Sequence, residues 1–464
     1  MTTQPATDIN SFGFPTTSDT GSSAPLPITS VTLDRVAYKQ MRVLVLCDSP
    51  VVRPEWTLTG FARVATNILH QWTKLGMDIE IWGIHFDGWN YQDVPWKLYP
   101  GSNHDWNSPA NLNAFLNKLA SQRDAGPRYT HVWLLNNMDC FAVGQGEKSF
   151  GWQLDKICAK HDIRSMIYFP IDTPFQKTKL TDVLHFVDES ATFTDFGREA
   201  ITKYLTPDIS VAVIPHGLDD HFKPAPEANR MAVRSYIAMA DGKVFAGPDD
   251  FLILNVNKNE GRKDFLRSLE ILAKLKASSM VPVKMILRTG QVGLGRGDGI
   301  AIHDVAEQLG LEDGVDYCVM DSQPEAFMPS LYQAADLYLT TTLGEGWGLG
   351  ITEAMGCGVA VAVPDNSSCG EIARAAIFEQ PQINSQILIL ESESGYVCGA
   401  DGRLRKRVDL QGAVDQLLDF INSPRGTDTA REYYRETLSE TAHKLWSWER
   451  TAKQMAELLR GGAL

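Results

Sequence analysis

Short apolar runs alternate with helical patterns along this chain, break off, and then alternate again, and few folds satisfy such a pattern. Arg42-Val43-Leu44-Val45-Leu46 is a nearly continuous apolar run, as expected of a strand buried on both faces. After a loop from Cys47 to Thr59, Gly60-Phe61-Ala62-Arg63 opens a pattern in which Val64, Ile68, Leu69 and Trp72 recur at helical spacing. Residues 79–84, 131–135, 165–169, 191–194 and 211–214 read as further strands, with helices over 111–122 and 197–205. From His221 to Asp250 the pattern weakens to one helical stretch among Pro224, Pro226, Gly242, Gly247 and Pro248, as at an interdomain connection. It then restarts, with strands expected at 251–256, 283–287, 316–320, 337–340 and 359–363. Helices are expected at 263–275, 303–309, 325–334 and 351–355. Alternation of this kind implies parallel sheets with helices on their faces.

A chain of 464 residues is too long for one ordinary core. The expected architecture is therefore α/β, with two Rossmann-like domains facing across a cleft, which is the default ligand site. The boundaries read as a disordered tail over 1–40, rich in Ser, Thr and Pro, and an N-terminal Rossmann-like domain over 41–220. A linker follows over 221–250, then a C-terminal Rossmann-like domain over 251–425. Helices over 426–464 are expected to pack back on the first domain, with Trp446, Trp448, Ala452, Met455 and Leu458 on the buried stripe. The first basic residue is Arg35, so the start of the chain has no charged n-region of a signal peptide. No apolar run reaches the ~18 residues of a membrane span. Seven scattered cysteines without a Cys-x-x-Cys pair suit a reducing compartment, and the chain is read as cytoplasmic. A formal net charge of −14 disfavours tight, non-specific binding of nucleic acid.

The most informative segment is Gly344-Glu345-Gly346-Trp347-Gly348-Leu349-Gly350, continuing through Glu353 to Gly358. It follows an expected strand and precedes an expected helix. Its glycines allow backbone to approach a ligand, and the helix start offers free amide N–H groups to a diphosphate. Glu345 lies before the helix and Glu353 about two turns inside it, so the two carboxylates can meet different parts of one ligand. Carboxylates accept well from vicinal hydroxyls. Arg262 and Lys263 stand at another expected helix start, where the macrodipole favours acids, so a functional demand is the better explanation for them.

Glu345 and Glu353, set in Glu-Gly-x-Gly-Leu-x-x-x-Glu-Ala-Met-x-x-Gly, resemble the signature of the retaining family-four glycosyltransferases of GT-B fold (glycosyltransferases group 1). Ile214-Pro215-His216-Gly217-Leu218-Asp219, the stretch from Asn255 to Asp264, Leu331 to Asp336, Cys369-Gly370-Glu371-Ile372 and Trp446-Ser447-Trp448-Glu449 are also similar to that family. The resemblance implies a donor such as a UDP- or GDP-sugar and transfer of a hexose-type sugar with retention of configuration. It places Arg262 and Lys263 on the donor diphosphate, Glu353 on the ribose, and Glu345 with the backbone of Gly346 to Gly350 on the sugar. Gly60 would face the donor phosphates or sugar. A dianionic leaving group needs positive charge. The chain has no Asp-x-Asp pair to hold a metal, so Arg262, Lys263 and the helix terminus are expected to supply that charge with neither metal nor cofactor.

Asp172 follows an expected strand at its C-terminal end and is a candidate sugar or acceptor contact; His216 is a candidate loop-fixing or ligand residue. A family histidine of the first domain has no evident counterpart, because Asn136-Asn137-Met138-Asp139 follows the strand at 131–135. Trp82, Trp89, Tyr91, Trp96, Tyr99 and Trp106 suit either core packing or an acceptor platform. The acceptor is open between glycan, lipid, protein and a modified DNA base, with the net charge against the last. A non-catalytic nucleotide-sugar-binding protein is the alternative from another class, and the complete set of Glu345, Glu353, Arg262 and Lys263 argues against it.

Overall fold

The computed structural model describes residues 37–51, 58–91, 94–101, 108–121, 128–174, 181–237, 244–289, 299–321, 323–399, 402–423 and 428–462. The tail expected over 1–40 lies outside the described residues up to position 36, as does Trp106.

The first domain is built on parallel strands β1 (Arg42–Asp48), β2 (Asp78–Ile84), β3 (Lys97–Pro100), β4 (His131–Leu135), β5 (Arg164–Phe169), β6 (Glu189–Thr192) and β7 (Ala212–Val213). Their order in the sheet is β3-β2-β1-β4-β5-β6-β7. The apolar run of β1 divides between two cores, as a strand covered on both faces must. Val43 and Val45 pack with Ile68 and Trp72 of the Gly60–Leu75 helix, while Leu44 and Leu46 pack with Phe115 and Leu154 on the other face.

The second domain repeats the plan with β8 (Phe251–Val256), β9 (Val283–Arg288), β10 (Tyr317–Met320), β11 (Leu337–Leu339), β12 (Ala360–Pro364) and β13 (Ile387–Leu390). These are parallel, in the order β10-β9-β8-β11-β12-β13. Each sheet reverses its winding once, between β1 and β4 in the first and between β8 and β11 in the second. Open α/β sheets take ligands at that crevice, beyond the carboxyl ends of the strands.

Two local expectations are corrected. The helix expected from Lys263 begins at Phe265, and Gly261–Lys263 forms a tight 3₁₀ turn before it. Asp264, at φ 49°, caps that helix by accepting from the Arg267 amide, so the dipole has its acid and the basic pair stands outside. The helices expected over 426–464 are Asp428–Leu445 and Trp448–Arg460, and Ser447 caps the second by accepting from the Arg450 amide. Only the second of them crosses to the first domain, where the Trp72 indole donates to the Ala452 carbonyl at 2.9 Å. The first stays on the second domain, with the Ser439 hydroxyl donating to the Gly356 carbonyl at 2.6 Å. The helical stretch expected in the connection over 221–250 is an anchored helix, Glu227–Tyr236. Its Arg234 donates to the Ala334 carbonyl at 2.8 Å and to Asp336 at 2.6 Å.

One apolar cluster is continuous through both domains and the last helix, joining Val45, Ile214, Leu218, Trp347, Ile351, Trp448 and Met455. Among the described residues no helix is long and apolar enough to cross a membrane.

Trp72→Ala removes a fully buried indole and its bond to the final helix. We expect it to destabilise the first domain by about 3–5 kcal/mol, read as a lowered denaturant midpoint. A change below about 1 kcal/mol contradicts the packing described.

Candidate active site

The loops that leave β8 and β11 meet at the second crevice. The Leu343 amide donates to the Arg262 carbonyl at 2.8 Å, so the glycine-rich segment and the basic turn are tied by backbone. Ser367 and Ser368 fix the same segment from behind. Ser367 Oγ accepts from the Glu345 amide at 3.0 Å, and Ser368 Oγ donates to the carbonyls of Glu345 and Trp347 at 2.9 and 2.6 Å.

The glycines here are required by geometry. Gly348 has φ 105°, a left-handed conformation that turns the chain into the Leu349–Gly356 helix. A Cβ at Gly344 would stand 1.9 Å from the Asp172 carbonyl oxygen, and one at Gly346 2.3 Å from Pro170 Cβ. The segment thus lies directly against the first domain. Gly60 opens the first domain's leading helix opposite Leu349, and a Cβ there would meet Leu349 Cδ1 at 3.7 Å. Two helix N-termini therefore face one cleft.

Glu345 is ion-paired to Lys263 and lies 3.1 Å from Arg262 Nη1. Arg262 also donates to the Gly344 carbonyl and stands 3.4 Å from Asp172. Burial alone would raise the Glu345 carboxyl, but the Lys263 ammonium and Arg262 guanidinium outweigh it and hold it at about 2. Burial lowers the Lys263 amine, and Glu345 offsets this only in part.

Glu353 is the fifth residue of its helix, nearer the N-terminus than the two turns expected. Its buried carboxylate accepts from the Tyr332 hydroxyl at 2.7 Å and pairs with Arg63 at 2.6 Å. Arg63 comes from the first domain and also reaches Glu325 at 2.9 Å. Burial raises both Glu325 and Asp219, and the guanidinium of Arg63 restrains each.

Asp172 is a junction between the domains. Its carboxylate lies 3.0 Å from Arg405, 3.4 Å from Arg262 and 3.7 Å from Arg403, all from the second domain. Asp172, a candidate sugar or acceptor contact, therefore lines the cleft as an ion-paired carboxylate, as Glu345 does. His216 is held by rings: Phe193 lies at 4.1 Å, Trp347 at 5.3 Å and Trp448 at 5.9 Å between centroids. Neither of its nitrogens has a hydrogen-bond partner among the described residues, and burial holds it at about 3, hence neutral.

A cavity of about 750 Å³ opens between the domains. Glu345, Glu353, Arg262, Lys263, Gly60, Asp172 and His216 line it, together with every residue from Gly346 to Gly350. The aromatic group at 82–99 does not; Trp82 stacks on Tyr99 and packs on Phe115, and the Trp96 indole donates to Thr73 at 2.9 Å. Asp48 and Arg63 line the cavity and escaped the sequence reading. Each had a signal: an aspartate closing an apolar strand, and an arginine in the first turn of a helix, against the dipole. Among the described residues no group of three or more His, Cys, Asp or Glu could hold a metal ion.

Residues 240–386 match the family described as glycosyl transferases group 1. This segment is a group 1 glycosyltransferase domain. The chain is 25% identical over 274 residues to a D-inositol 3-phosphate glycosyltransferase of Stackebrandtia nassauensis, covering 54% of this chain and 57% of that protein. It is 25% identical over 205 residues to the protein of the same name from Corynebacterium urealyticum, covering 43% and 41%. The chain thus spans about half the length of these curated relatives. Sucrose-phosphate synthase from Thermosynechococcus elongatus superposes with a TM-score of 0.68 at 13% identity, covering 91% of this chain and 98% of that one. Anabaena HepE in complex with UDP-glucose superposes with a TM-score of 0.60 at 14% identity, covering 91% and 100%. At such identities the likeness speaks for the fold alone, which is GT-B.

The pairing of Glu345 has a signed consequence. Its folded pKa lies below the ordinary 4.5, so its contribution to stability is present above that value and is lost as pH falls through about 2. The melting temperature of Glu345→Gln should lie below wild type at pH 7, and the gap should narrow between pH 4.5 and 2. A gap that is constant across that range contradicts the pairing.

Proposed function

We propose that this chain transfers a hexose-type sugar from a nucleotide-diphosphate sugar, such as a UDP- or GDP-sugar, to an acceptor. The reaction retains anomeric configuration and needs no metal. The observation that carries the reading is the meeting of Arg262 and Lys263 with the start of the Leu349–Gly356 helix at the β8/β11 crevice. Two cations and the amides of Leu349 and Gly350, which no preceding helical turn engages, form a complement to a diphosphate. The relatives named as glycosyltransferases and the UDP-glucose complex of HepE support the same choice of donor.

In this reading the diphosphate takes up the hydrogen bonds of Arg262 and Lys263, and Glu345 accepts from hydroxyls of the sugar. Glu353 has carboxylate lone pairs beyond those used by Tyr332 and Arg63, and these receive the ribose diol. As the bond from C1 to the phosphate oxygen lengthens, negative charge grows on the diphosphate where positive charge already stands. The acceptor oxygen attacks C1 from the same face, and its proton passes to the departing phosphate oxygen. Glu345 forms no covalent bond to the sugar. Six buried, unpaired cysteines and one exposed one suit a reducing cytoplasm, where such donors are made.

Thermal-shift screening with UDP, GDP, ADP and their sugars, followed by turnover of a labelled donor, tests this function. Arg262→Ala and Lys263→Ala are expected to lower kcat by about 10²-fold or more. Glu353→Ala is expected to weaken donor binding by about tenfold or more. Near-wild-type kinetics in all three variants contradict the assignment.

A further inference from the structure

The two walls of the cleft carry opposite charge. Among the described residues, the second domain lines it with five basic side chains (Lys258, Arg262, Lys263, Arg288 and Arg403) against three acidic ones. The first domain lines it with Asp48, Asp139 and Asp172 against Arg63 alone, and Arg63 is already bound to Glu353 and Glu325. Arg403 reaches this wall, 3.7 Å from Asp172 and 3.9 Å from Asp139, and Asp172 also meets Arg262 and Arg405, which leaves Asp48 as the wall's carboxylate that no Lys or Arg pairs among the described residues.

The first-domain wall also has the topology of a binding crevice. Asp48 ends β1 and Asn136 follows β4, the pair of strands between which the first sheet reverses. Asp48 is 5% exposed, accepts from Asn136 Nδ2 at 3.1 Å and from the Thr59 hydroxyl, and still lines the cavity. A carboxylate has about four acceptor sites, so capacity for further hydroxyls remains. Asn137 and Asp139 line the same wall and are exposed. Beside them His216 and Trp347, both buried and both lining the cavity, keep ring nitrogens without hydrogen-bond partners among the described residues. Carboxylates, an amide and unpartnered ring nitrogens suit a ligand rich in hydroxyls and repel an anion.

We infer that the acceptor is a neutral polyhydroxylic molecule, a sugar or polyol without phosphate, bound at the β1/β4 crevice with Asp48 accepting from its hydroxyls. The inference rests on the donor reading above and goes beyond it, because the relatives matched are named for a phosphorylated acceptor. In the transfer, the acceptor oxygen forms its bond to C1 as the bond from C1 to phosphate breaks. The hydroxyl proton leaves with the nucleoside diphosphate, so no further reactant is needed.

The test offers the full-length protein matched acceptors with and without phosphate: glucose and glucose 6-phosphate, fructose and fructose 6-phosphate, inositol and inositol 3-phosphate. Donor affinity is measured separately by calorimetry. The neutral member of a pair is expected to have the higher kcat/KM by about tenfold or more. Asp48→Asn should raise the acceptor KM by about tenfold while donor Kd stays within about twofold, which also shows that the variant is folded. Asp139→Asn, at an exposed position, should narrow the preference against phosphorylated acceptors. Faster transfer to the phosphorylated members, or an acceptor KM unmoved in both variants, overturns the inference and leaves the donor reading standing. Absence of any donor binding by the wild type overturns both.

Discussion

Two cations held beside one carboxylate at a helix start set the terms for the rest of this molecule. Arg262, Lys263 and Glu345 have side chains only 27%, 13% and 13% exposed, and charges removed from water to that degree are tolerated when they are paired. With Asp172 of the other domain and its partner Arg405 counted in, three cations still face two carboxylates. A site with that residual charge attracts an anion. The basic pair can stand there because Asp264, immediately after it, answers the demand of the next helix for an acid.

The same constraint explains how closely the domains approach. Gly344 and Gly346 lie against Asp172 and Pro170 with no room for a side chain, so the glycine loop serves the interdomain contact as well as any ligand. Charge crosses the interface around Arg63, which meets Glu353 and Glu325, and around Asp172, which meets Arg262, Arg403 and Arg405. Beneath both runs the apolar cluster that Trp347, Ile351 and Trp448 share with Ile214 and Leu218. The final helix ties the first domain to the end of the chain through Trp72, which leaves the cleft as the open face of a joined pair.

Much of this was legible beforehand. Continuous apolar runs such as 42–46 identify strands covered on both faces, and the glycine segment with Glu345 and Glu353 marks the crevice after β11. Every residue singled out for the site lines the cavity. What escaped depends on partners far apart in the chain. Arg63 gains meaning only beside Glu353, 290 positions later, and Asp172 only beside Arg405. The start of the helix after Lys263 was misjudged because the left-handed Asp264 breaks a run whose apolar spacing looks continuous. The aromatic group at 82–99 could not be assigned from composition, because a stacking platform and a packed core use the same residues.

A structure of this chain soaked with a nucleotide-diphosphate sugar is the most direct measurement of the central claim. The account predicts the diphosphate between Arg262, Lys263 and the amides of Leu349 and Gly350, with Glu345 released toward the sugar and Glu353 on the ribose. Diphosphate bound elsewhere, with the Lys263–Glu345 pair intact and the β8/β11 crevice unoccupied, would contradict it.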